Sequence, residues 1–145
     1  MPTPRTAERS FAPATSSVRD ARRFLTTCLQ RWDLEAAVWT CQLLLGELAT
    51  NAVLHARSTF LVEVAVGART VRIAVSDTSP VLPHRKRHGV EAGTGRGLGL
   101  VELLSIDSGC ERHEHGPYRK TVWCELPLDP AALPGPEDGA LLATA

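Results

Sequence analysis

Three groups of residues in this chain have the types and spacing to handle a phosphorylated ligand. Glu47, Asn51 and His55 recur at every fourth position of Glu47-Leu-Ala-Thr-Asn51-Ala-Val-Leu-His55. On an α-helix this spacing places all three on one face, and Thr40 falls on nearly the same line. A carboxylate and an amide oxygen one turn apart can hold a hard cation or place a water beside one. A solvated helix face has the same look, so the pattern alone does not decide.

The second group is Asp77, at the end of the apolar run Ile73-Ala-Val-Ser-Asp77-Thr-Ser-Pro80. Asp, Ser and Pro are ordinary turn formers. A carboxylate at the end of a strand and over a pocket can also accept a hydrogen bond from a ligand amine. The third group is Gly93-Thr-Gly95-Arg96-Gly97-Leu98-Gly99. Glycines let backbone N–H groups approach a phosphate, and a helix starting just after them adds a favourable dipole. Arg96 adds a forked cationic donor. The segment is not a Walker loop, because no Lys-Ser/Thr follows. It is not the dinucleotide fingerprint either, since Leu98 stands where the third glycine belongs.

The surrounding elements must position these groups. Apolar residues Val18, Ala21, Phe24, Leu25, Cys28 and Leu29 predict a first helix starting near Ser16 or Ser17, with Arg22 turned to water. Leu44, Leu45, Leu48, Ala49, Ala52 and Val53 predict a second helix over residues 34–55, capped by Asp33. Residues 59–66 and 70–76 alternate and are β-branched, with a short Gly67-Ala68-Arg69 turn between them, which predicts a hairpin. Residues 98–104 read as a helix, and 106–111 and 119–126 as two further strands. The expected fold is α+β, a two-layer sandwich of a mostly antiparallel sheet with helices on one face. The expected domain covers residues 11–128, between loose tails at 1–10 and 129–145.

Composition narrows the function. Sixteen Lys and Arg balance sixteen Asp and Glu, which argues against a protein that tracks nucleic-acid phosphates. One tyrosine leaves little for base stacking. No apolar run reaches the roughly 18 residues that cross a bilayer, and the start MPTPRTAERS lacks the apolar stretch of a secretory signal. A cytoplasmic location with no membrane partner is the expectation. Cys28, Cys41, Cys110 and Cys124 have neither CxxC nor zinc-finger spacing and read as small apolar residues.

Taken in order, the three groups resemble the N box, G1 box and G2 box of the GHKL (histidine-kinase-like) ATPases. The resemblance covers residues 11–128 and is nearest to the small stand-alone branch related to anti-sigma-factor serine kinases of the RsbW/SpoIIAB type. It implies ATP and Mg²⁺ as cofactors. It implies that Asn51 coordinates the metal, that Glu47 is the catalytic base, and that Asp77 accepts the adenine amino group. Gly93, Gly95, Arg96, Gly97 and Leu98 would wrap the phosphates. Thr121 would help hold adenine through water, and residues 81–94 would form a lid made basic by His84-Arg85-Lys86-Arg87-His88. Ser79-Pro80 stands where this family often has glycine, which predicts a stiffer pocket floor.

The implied function is an anti-sigma factor with serine/threonine kinase activity. Its partners would be a sigma factor and an anti-anti-sigma protein, with a homodimer as a further expectation. The alternative is a non-catalytic switch that binds ATP and sequesters a partner. A detached histidine-kinase catalytic domain ranks third, because no helix carries a phosphoacceptor histidine followed by an acidic residue.

Overall fold

A computed structural model describes residues 5–81, 101 and 103–129. Strand β1 (Arg5–Phe11) leads into helix α1 (Ser16–Arg31), a 3-10 turn (Glu35–Ala37) and helix α2 (Val38–Asn51). A π turn (Ala52–Ala56) extends α2. Strands β2 (Phe60–Val66), β3 (Thr70–Asp77), β4 (Asp107–Arg112) and β5 (Lys120–Pro127) follow. The sheet order is β1-β2-β3-β5-β4, with every pairing antiparallel. The α+β sandwich expected from the sequence is present.

The helices cover one face of the sheet. Alternation along β3 sends Val71, Ile73 and Val75 towards them, and β5 adds Cys124 and Leu126. Leu25 and Leu29 of α1 and Leu44, Leu45 and Leu48 of α2 meet this layer and are at most 2 % exposed. Each such leucine contributes roughly 1.5–3 kcal/mol through burial. The 22-residue helical run Glu35–Ala56 is, by length and composition alone, apolar enough to cross a bilayer, contrary to the expectation that no stretch is. Half of it is buried inside the fold, against α1, β3 and β5.

Three expectations about the termini of elements fail for physical reasons. Residues 5–10 are not a loose tail but most of β1, paired in register with β2 from Arg5↔Val66 to Phe11↔Phe60. Their polar composition hides a strand that needs only one buried anchor. Phe11 stacks on Phe60 (centroids 5.6 Å apart) and meets Phe24 of α1 edge-on at 6.1 Å. Asp33 does not cap the second helix, which begins after Ala37 without a side-chain cap. Instead it ends the first. It sits at φ 59°, its N–H bonds Gln30 O, and the Leu34 N–H reaches back to Leu29 O. These two bonds make a Schellman stop, where a left-handed residue closes the helix. Neither Ser16 nor Ser17 caps α1, whose N-cap is Thr15 with no side-chain bond.

Candidate nucleotide site

The site is built at the end of β3, the middle strand of the five. Asp77 lies on the helix-facing side and is 3 % exposed. Its Oδ1 accepts the Ser79 N–H at 2.9 Å. Ser79 Oγ in turn accepts the Val81 N–H at 3.2 Å, and Thr78 Oγ1 shares a 2.6 Å hydrogen bond with Ser58 Oγ. The Asp77–Val81 turn is therefore closed by its own short polar side chains. Ser79, where glycine is common, adds a side-chain acceptor to this turn, while its donor is the backbone N–H that any residue but proline would offer. Burial pushes the Asp77 carboxyl above its ordinary range. The Ser79 N–H, the Lys120 ammonium and His55 pull the other way.

Lys120 is the residue that sequence reasoning missed. It stands directly across from Asp77 in the β3–β5 ladder and is 5 % exposed. Its Nζ lies 3.6 Å from Asp77 Oδ2 and donates to Val81 O at 2.9 Å. Lysine is almost never this buried without a partner. Its signal in the sequence is a lysine at the start of an apolar strand, which carries meaning only once the pairing register is known.

Thr121, expected beside the adenine, points the other way. It pairs with Ser76, one residue before Asp77, so it lies on the sheet face opposite the helices. There Thr121 Oγ1 shares 2.6 Å hydrogen bonds with Ser76 Oγ and His113 Nε2. The structure does not bring Thr121 to the Asp77 carboxylate, because one step along a strand reverses the side chain.

Glu47 and Asn51 occupy the last two turns of α2, and both are half-buried. The π turn that follows packs on β3 and carries His55 to where its charge acts on Asp77. This wider turn breaks the α spacing after Asn51, so the four-residue repeat holds for Glu47 and Asn51 and lapses at His55. Such π segments recur at functional sites. Arg22 is exposed, as expected, and reaches from α1 onto α2. Its Nε donates to Gln42 O at 3.3 Å, and its guanidinium lies over Gly46, next to Glu47.

Gly93, Gly95, Arg96, Gly97, Leu98 and the basic segment 84–88 lie outside the described residues. Just beyond them Val101 is buried in the core, and the Ser105 N–H bonds Val101 O. Cys28, Cys41 and Cys124 are buried free thiols, and burial pushes Cys41 and Cys124 up to about 12. This fits the reading of inert apolar residues.

The groups present suit an adenine nucleotide. Asp77 offers a buried acceptor to an amine, Lys120 a donor beside it, and Asn51 an amide oxygen next to a carboxylate. Among the described residues no cluster of three or more His, Cys, Asp or Glu could hold a metal by itself. A cation here would therefore share its coordination with phosphate oxygens, as magnesium commonly does.

Comparison with known proteins bears on the same residues. No curated protein matches the chain significantly. A family model described as the histidine kinase-like ATPase domain matches residues 11–124, from the anchor of β1 to the middle of β5. The chain belongs to that family, and with it to the ATP-binding proteins of the GHKL class.

Proposed function

We propose that the chain is a Mg-ATP-dependent serine kinase that also sequesters a sigma factor, like the small anti-sigma kinases it resembles. The observation that carries this reading is Glu47 one turn before Asn51, at the end of the helix whose extension packs beside Asp77. In this reading the Asn51 carboxamide oxygen ligates magnesium, and Asp77 accepts the adenine amine. Gly93, Gly95, Arg96, Gly97 and Leu98 hold the phosphates. Glu47 takes the proton of a serine hydroxyl on an anti-anti-sigma partner. The serine Oγ–phosphorus bond forms as the bond to the β–γ bridging oxygen breaks, and ADP leaves. Phosphoryl transfer asks mainly for positioning and charge stabilisation, and a general base adds about 10²–10⁴-fold. The proposed setting is the cytoplasm, where a sigma factor works.

The test incubates the chain with labelled ATP and candidate anti-anti-sigma proteins. Label should move to a partner serine, and Glu47→Ala should slow transfer by about 10²–10⁴-fold while keeping ATP affinity. Asn51→Ala should weaken Mg-ATP more than metal-free ATP. ATP binding without transfer, together with partner control that survives Glu47→Ala, would count against the kinase and support the non-catalytic switch.

A further inference from the structure

Lys120 has no role in the reading above, yet its ammonium is buried beside the one carboxylate that reading assigns to the base. We propose that Lys120 reads the base together with Asp77: its ammonium donates to adenine N1 while the carboxylate accepts from the exocyclic amine. The inference rests on the chain binding ATP with adenine at Asp77.

Both groups have bonding capacity to spare. The Lys120 ammonium carries three donors, and one is committed to Val81 O at 2.9 Å. The Asp77 carboxylate has about four acceptor sites, and the Ser79 N–H takes one on Oδ1. The Nζ–Oδ2 separation of 3.6 Å is longer than a charge-assisted hydrogen bond of about 2.7–2.9 Å. A donor and an acceptor thus stand side by side without saturating each other.

Adenine presents the complementary pair on its edge, an acceptor at N1 next to a donor at the 6-amino group. With Asp77 at the exocyclic position, guanine would set its O6 carbonyl against the carboxylate and its N1–H against the ammonium. Both contacts would be repulsive.

The pair is held from both sides. Lys120 Nζ and Asp77 Oδ1 are each tied to the 77–81 turn, and the Arg119 N–H bonds Asp77 O at 2.7 Å. On the opposite sheet face, Thr121 is fastened to Ser76 and His113. That pins the β3–β5 register which points Lys120 towards Asp77.

The experiment is calorimetric titration of the full chain with Mg-ATP, Mg-GTP and the magnesium complex of 1-deaza-ATP, whose N1 is replaced by C–H. Wild type should bind 1-deaza-ATP about 10- to 100-fold more weakly than ATP, the loss of one hydrogen bond to a charged group, with GTP weaker again. In Lys120→Met the gap between ATP and 1-deaza-ATP should close. In wild type the ¹⁵Nζ resonance of Lys120 should shift with ATP and stay in place with 1-deaza-ATP, a readout that does not depend on the variant folding. Equal affinity for the two nucleotides, an unmoved Nζ resonance, or a gap that persists in Lys120→Met would each overturn the proposal and leave Lys120 as a counter-ion. Failure of the wild type to bind ATP at all would overturn the nucleotide reading as well.

Discussion

Lys120 Nζ stands 3.6 Å from Asp77 Oδ2, with both side chains buried at the end of the middle strand. Removing one partner strands the other charge away from water. Lys120→Met should therefore destabilise the fold by about 3–5 kcal/mol. Adding Asp77→Asn should recover part of that loss, because the second change removes the orphaned charge. Urea unfolding of the two single variants and the double variant measures this coupling. Strict additivity would mean the two groups do not interact.

The same carboxyl sets a pH dependence. Asp77 is raised above its ordinary value of 3.8, mainly by burial. The folded state then holds this proton at pH values where the unfolded chain has released it. The contribution of Asp77 to stability is full below 3.8 and is lost as pH rises through the raised value. Unfolding midpoints of wild type and Asp77→Asn across that window should show wild type losing ground as pH increases. Nucleotide affinity should run the opposite way, weakening on acidification as the acceptor becomes protonated. Isothermal titrations at several pH values check this.

On the sheet face away from the helices, the Trp123 ring lies against Gly109. A methyl group at that glycine would come within 2.7 Å of the ring. The ring is also held by Arg72, whose guanidinium sits 4.9 Å from its centroid and pairs with Glu111 at 3.9 Å. Gly109→Ala should therefore cost about 1–3 kcal/mol. Thermal unfolding followed by circular dichroism reports the lower midpoint, and tryptophan fluorescence in a Trp32→Phe, Trp39→Phe background reports the displaced Trp123 ring.

Strand β1 is joined to the core through Phe11, which is 7 % exposed and stacked on Phe60. Phe11→Ala should destabilise the domain by about 3–5 kcal/mol. Amide exchange of residues 5–10 should rise towards that of free chain. A loose tail would show neither effect, so protection of these amides in wild type decides between the two.

The sequence by itself determined the α+β class, two helices, four of the five strands and the family. It did so because each element shows its period locally and because the acid-amide helix, the strand-ending aspartate and the glycine-rich segment keep their order along the chain. The family match over residues 11–124 spans all three groups. Tertiary structure decided the rest. The polar segment Arg5–Ser10 has no strand period strong enough to read, and it becomes β1 only by pairing with β2. Asp33 looks like a helix cap by residue type, yet the bond from Leu34 back to Leu29 makes it a helix stop. Lys120 and Thr121 are neighbours in the chain, and only the β3–β5 register determines which of them faces Asp77. Side chains alternate across a sheet with period two, and no residue carries a mark of the strand it will pair with, so that choice belongs to long-range pairing.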